Sequence, residues 1–122
     1  MPGDLVSSAP ELARLTLNLA AIHHDASVAA DGRRLVYGGH TVGIAASQAS
    51  RAFPSMLAIL GWYSCDHLGP VREGDTLRAT LEIERLEPLA DGGLAHVGAS
   101  VTADRASGPE KVLDWRFVAA FA

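Results

Sequence analysis

The chain has 122 residues, 48% apolar and 20% charged, with a formal net charge of −4, which fits one folded domain and excludes a disordered chain. The ten Lys and Arg residues are scattered, with no basic stripe or aromatic ladder, so nucleic acid is excluded as a partner. The longest apolar run, Met56 to Tyr63, is too short to span a bilayer, so no membrane is expected.

In chain order, the N-terminus lacks a charged and apolar leader, and Cys65 stands alone, so the cytoplasm is the expected location. Ser8-Ala9-Pro10-Glu11 has the form of a capping box. It predicts a helix from Pro10 to about Ala21, with Leu12, Leu15, Leu19 and Ile22 on its buried face. Residues five apart on a helix are separated by roughly 140° in projection. Asn18 and His23 therefore converge only if the helix ends or bends between them. Asp25 to Ala30 could add a short turn, and Asp31-Gly32-Arg33-Arg34 reads as a loop.

Gly38-Gly39 opens the second helical run, His40 to Phe53, which Pro54 halts. Val42, Ala45, Ala46, Ala49 and Ala52-Phe53 line one side, and Thr41, Gln48 and Arg51 fall on the other. Gly43, Ala45, Ala46 and Ala49 make the buried side small, which suits a helix wrapped closely by a sheet. Four strands follow. Met56 to Tyr63 is apolar on both faces, hence central or at an interface. Leu77 to Glu84 alternates cleanly, Ala95 to Ala103 gives a third strand and Leu113 to Phe121 a last. Gly69-Pro70, Glu73-Gly74-Asp75, Asp91-Gly92-Gly93 and Ser107-Gly108-Pro109 are the turns between them. Helices first and hairpin-linked strands after is the order of a single α+β domain over 1–122, an antiparallel sheet curled around a central small-residue helix at about 40–53.

At this point the residues resemble a family, the MaoC-like acyl-CoA dehydratases of the hotdog group, which includes the (R)-specific enoyl-CoA hydratases. The resemblance is carried by Thr16-Leu17-Asn18, Ala20-Ala21 and Ile22-His23-His24-Asp25. Gly38-Gly39 before the central helix, Pro70-Val71 and Gly74-Asp75-Thr76-Leu77 extend it. Asn18 stands where the family has its acidic catalytic residue, and Ala20-Ala21 where it has Asn-Pro. An Asn there is usual in the branch acting on mesaconyl-CoA and itaconyl-CoA like substrates, to which this pattern is most similar. The second half of double-hotdog dehydratases is similar too. The resemblance implies a hotdog fold, an acyl-CoA thioester substrate, no cofactor beyond the CoA it carries, and a homodimer or a pairing with a second hotdog subunit. Little precedes the first helix, where the family often has a strand or a whole hotdog, which points the same way.

The implied chemistry is addition of water to an enoyl thioester, or its removal. His23 is the expected acid/base, because an imidazole titrates near neutral pH. Asn18 carries no exchangeable proton of use and can only orient water or the thioester. The main-chain N–H of Gly39, or of His40 or Thr41 beside it, is expected to hold the thioester oxygen at the helix start. Gly38, His40 and Thr41 are candidate substrate contacts, and Arg33 and Arg34 candidate grips for the CoA phosphates. Asp25 caps the following turn or holds a His tautomer. The spacing of His23, His24, Asp25 and His40 matches no standard zinc pattern, so no metal is expected. Asp66-His67 is expected in a solvated turn, and Cys65 is expected to be inert. Two alternatives stand beside the hydratase: a catalytically silent hotdog subunit that binds acyl thioester or completes a partner's pocket, and a thioesterase.

Overall fold

A computed structural model describes residues 3–29 and 31–122. Strand β1 (Asp4–Leu5) and helix α1 (Ala9–Leu15) come first, then two single 3-10 turns, Ala21–His23 and Ala26–Val28. Helix α2 (Gly38–Ala52) precedes strands β2 (Met56–His67), β3 (Thr76–Pro88), β4 (Gly93–Ala103) and β5 (Glu110–Phe121). The five strands form one antiparallel sheet in the order β1-β3-β4-β5-β2. This is the expected α+β architecture, with α2 packed against β3 and β5.

Alternation decides which face of the sheet is covered. Leu77 and Ala79 of β3, the odd-numbered residues Ala95 to Ala103 of β4, and Leu113, Trp115, Phe117 and Ala119 of β5 are buried. Trp115 and Phe117, ring centroids 4.4 Å apart, are the largest side chains of this core, each worth about 1.5–3 kcal/mol of burial. Ala45 and Ala49 are buried and let α2 lie close against β3 and β5, as the small-residue reading anticipated.

Two expectations about α2 need correction. Gly43 lies on the outside of the helix, where a Cβ would meet nothing within 4 Å. Thr41 and Gln48 belong to the buried side. Gln48 is fully buried: its amide donates to the Leu77 carbonyl (2.9 Å) and Asp4 (2.8 Å), and its oxygen accepts from the Ala79 N–H (2.7 Å). It closes the edge of β3 just beyond the two residues of β1, where backbone groups would otherwise be left unpaired.

The first helix also differs. Ser8 sits in the left-handed region (φ 57) and makes no side-chain cap, so the capping box does not form. The helix stops at Leu15 instead of running to Ala21. Leu17 is itself left-handed (φ 61), and the N–H groups of Leu17 and Asn18 turn back to the carbonyls of Arg14 and Ala13. The Thr16 hydroxyl donates to the Ala13 carbonyl as well (2.8 Å). These bonds satisfy the last turn and release the chain before Asn18. Leu15 and Leu19 are therefore mostly exposed, and Ala9 and Ala13 are the buried residues of α1. Strand β2 is an edge strand, so of the two readings of its doubly apolar pattern, the central position is ruled out.

Candidate functional site

A cleft of about 310 Å³ opens between the segment after α1, the start of α2 and the end of β2. Asn18, His23, Leu35, Val36, Tyr37, Gly38, Thr41, His67 and the Gly69–Val71 turn line it. The segment before α2 runs antiparallel to the residues after that turn: Val36 N–H bonds the Val71 carbonyl and Glu73 N–H the Arg34 carbonyl, each at 2.9 Å. One wall of the cleft is thereby fixed to the sheet.

His23 is held by Leu35 at both of that residue's backbone groups. The Leu35 N–H donates to the Ile22 carbonyl at 3.0 Å, and the His23 Nδ1–H donates to the Leu35 carbonyl at 2.6 Å. A carbonyl only accepts, so Nδ1 carries the proton and Nε2 of the neutral ring keeps its lone pair. The residue is 8% exposed. Such a ring is a fixed, singly oriented proton acceptor.

Asn18 reaches the same cleft because α1 ends three residues before it. Its side-chain oxygen accepts from the Ala20 N–H (3.2 Å), which leaves the amide nitrogen as the side chain's donor group. His24 donates its Nε2–H to the Asn18 main-chain carbonyl (2.8 Å), a bond that holds the segment in place. Asp25 is exposed and accepts from the Ser27 N–H (2.9 Å) and hydroxyl (2.7 Å), which hold its carboxyl below the usual range. It caps the second 3-10 turn, one of the two readings of that residue, and does not line the cleft.

The glycine pair divides between two surfaces. Gly38 and Thr41 line the cleft. Gly39 and His40 line a separate depression on the outer side of α2, with Leu12, Tyr37, Gly43, Ile44 and Ser47. The His40 N–H is already bonded to the Tyr37 carbonyl (3.0 Å), so it is not a donor for a ligand. Gly38 and Gly39, the first two residues of the helix, have no intrahelical acceptor for theirs. Burial pushes the His40 imidazole below its ordinary pKa, and its Nδ1 is buried without a partner among the described residues.

Arg33 and Arg34 are not brought to the cleft. Arg33 pairs with Asp75 (3.1 Å) and Asp31 (3.6 Å), and Arg34 with Glu73 (2.7 Å). Their guanidinium groups hold the Asp31–Arg34 loop onto the turn before β3. His67 is a residue the sequence reading missed. It is exposed, as expected, but ends strand β2 instead of lying in a turn, with its ring bordering the cleft and against Gly38. The signal was thin, since one His at a strand terminus has no distinctive spacing. Among the described residues no group of three His, Cys, Asp or Glu is arranged to hold a metal, and no helix is long and apolar enough to cross a membrane.

No family model matches the chain. Over 81 residues, 66% of its length, it is 36% identical to the mesaconyl-CoA hydratase of Cereibacter sphaeroides, of which this covers 24%. A conserved Mycobacterium tuberculosis protein with a double hotdog fold is 56% identical and superposes with a TM-score of 0.85. That superposition covers 97% of this chain and 36% of the other. A Chloroflexus aurantiacus protein described as a MaoC domain dehydratase is 27% identical, with a TM-score of 0.85 over 98% of this chain and 40% of its own. The chain thus spans about a quarter of the length of the curated relative and little more than a third of these structures.

Proposed function

We propose, from the premise that this chain is a MaoC-like hotdog domain, that it adds water to the double bond of an enoyl-CoA thioester or removes it from the hydrated product. The observation that carries this reading is the bond from His23 Nδ1–H to the Leu35 carbonyl, which leaves Nε2 as a base in a cleft shared with Asn18, Gly38 and Thr41. In hydration, Nε2 takes a proton from water, the hydroxyl oxygen bonds the β-carbon, and the electron pair moves onto the thioester oxygen. The N–H groups at the start of α2 stabilise that oxygen, with Gly38 nearest the cleft and Gly39 beside it. Asn18 orients the water through its amide. A proton then reaches the α-carbon, and the sum is one water added.

The similarity to a mesaconyl-CoA hydratase supports a short, branched enoyl-CoA as substrate. The cleft is at the small end of ligand sites, which begin at about 300 Å³, so a second wall is needed to enclose the CoA. Strand β2 supports the source of that wall. It is an edge strand that exposes Leu57, Leu60, Trp62 and Tyr63, and it is suited to pairing with a second hotdog, whether another copy or a further domain.

Asn18 also favours a second reading, a silent subunit that binds the thioester without turnover, because an amide cannot exchange the proton a carboxyl would. A thioesterase is less well supported, since among the described residues no carboxylate lines the cleft to activate water. The test is an assay with short enoyl-CoA substrates, mesaconyl-CoA included. Loss of the conjugated double bond without release of free CoA supports hydration. Release of CoA selects the thioesterase, and binding without turnover selects the silent subunit.

A further inference from the structure

We infer that His67 is the second proton-handling residue of the cleft, acting at the α-carbon of the acyl group while His23 acts on water. This inference rests on the hydration reading above. Hydration of an enoyl thioester moves two protons, one away from water and one onto the α-carbon. Asn18 can accept neither, and among the described residues no carboxylate lines the cleft. The cleft holds two imidazoles, His23 and His67.

Their settings differ in the way two roles require. His23 is buried and fixed by Leu35. His67 is exposed at the end of β2, opposite Leu113 of β5, and its ring lies against the first residue of α2. A Cβ on Gly38 would stand 2.8 Å from Nε2 and 2.9 Å from Cε1 of that ring, so the missing side chain of Gly38 is what lets the imidazole occupy this place. Among the described residues the hydrogen-bond contact of Nε2 is with the Cys65 sulfur at 4.0 Å, a long and weak one. His67 therefore sits beside the main-chain donors that would hold the thioester oxygen, which is the neighbourhood of the α-carbon. It remains open to solvent for proton return.

The step balances. In hydration the His67 imidazolium gives its proton to the α-carbon as the enolate electron pair forms the C–H bond, and His23 keeps the proton taken from water. The two rings end with exchanged protonation, and solvent at the cleft mouth restores them. In dehydration His67 removes the α-proton, and the His23 imidazolium protonates the departing hydroxyl.

The experiment measures kcat for dehydration of a short 3-hydroxyacyl-CoA, unlabelled and deuterated at the α-carbon, with the full chain and with His67→Gln and His67→Ala. Both variants are expected to lose about a hundredfold or more in kcat and to show a larger α-deuterium isotope effect. Added imidazole is expected to restore part of the His67→Ala rate. A structural role would change neither the isotope effect nor the response to imidazole. Wild-type kcat and isotope effect in a folded His67→Gln protein would overturn the inference and leave the hydratase reading standing. Absence of turnover in the wild-type chain would overturn both.

Discussion

His23 and Leu35 are joined side chain to main chain, Nδ1–H to carbonyl at 2.6 Å, while the Leu35 N–H returns to the carbonyl of Ile22. The pair sets the tautomer of the ring and the position of the turn that carries it. His23→Ala is expected to reduce turnover of a short enoyl-CoA by at least about a hundredfold, the lower bound for losing a general base. The circular dichroism spectrum should be unchanged. His23→Asn can still donate to Leu35 but offers no basic nitrogen to the cleft. It should match the Ala variant in rate and exceed it in melting temperature. A His23→Asn protein with near-wild-type turnover would remove the imidazole from the mechanism.

Gly38 tests how closely the cleft is built. A methyl group there meets the His67 ring at under 3 Å, and the exposed ring can swing away at little energetic cost. Gly38→Ala is therefore expected to lower kcat/KM by between about ten- and a hundredfold, as misplacement of a reacting group does. Its melting temperature should fall only slightly. Gly39→Ala makes a useful contrast. Its Cβ would stand 2.5 Å from the ring of Tyr37, a residue that borders both the cleft and the outer depression, so stability should suffer together with the rate. Measuring both quantities for both variants separates the two surfaces of the helix start.

Much of this was readable in the chain. Period-two alternation marked β3, β4 and β5, and Pro54 marked the end of α2 within a residue or two. That Asn18 and His23 share one cleft could be stated as a condition, an early helix end, but not foreseen. The end depends on Leu17 taking a left-handed conformation that no pattern announces. Polar residues misled most. Gln48 reads as a solvated position because its partners, the backbone of Leu77 and Ala79, come from a strand some thirty residues on. Arg33 and Arg34 looked available for phosphate because Asp75 and Glu73 are about forty residues away in the chain. His67 joins a cleft whose other members lie before and within α2.

Gln48 should be one of the costlier positions to change. Gln48→Leu keeps the volume but leaves the Ala79 N–H and one Leu77 carbonyl site unpaired in the core, and it strips Asp4 of a donor. Each buried unsatisfied group costs about 1–3 kcal/mol, so a loss of about 2–4 kcal/mol is expected. Urea unfolding would measure it. A change below about 1 kcal/mol would mean that the edge of β3 finds other partners.

His40 gives a pH signature. Burial lowers its pKa in the folded chain from the ordinary 6.5. As pH falls below that value, the unfolded chain takes up the proton first, so the unfolded state binds more protons across the window down to the folded value. The stability that depends on neutral His40 is thus complete above about 6.5 and is lost as pH falls through that window. His40→Leu removes both the titration and the unpartnered Nδ1. Melting temperatures measured from pH 7.5 down to 5 should decline more steeply in the wild type than in the variant. Parallel curves would refute the assignment.

The edge of the sheet carries the last prediction. Strand β2 is pinned on its inner side: Trp62 meets Trp115 edge-on at 5.3 Å, and the Tyr63 hydroxyl reaches His96 at 2.8 Å, whose Nε2–H donates to Glu87. Among the described residues no strand lies beside its other edge, and Leu57 and Leu60 are 69% and 58% exposed. An apolar edge this long, with no proline and its one carboxylate, Asp66, near the far end, is a surface for association. Covering two leucines releases about 1.5–3 kcal/mol for each one fully buried, and the main-chain ladder fixes the register. The purified chain is expected to sediment with the mass of two copies at micromolar concentration. Leu60→Lys puts a charge on that edge without touching Trp62, Tyr63 or the core, so it should sediment as one copy with its fold retained. If both proteins sediment as single copies, β2 does not pair two copies of this chain. If both sediment as dimers, the contact lies elsewhere on the molecule.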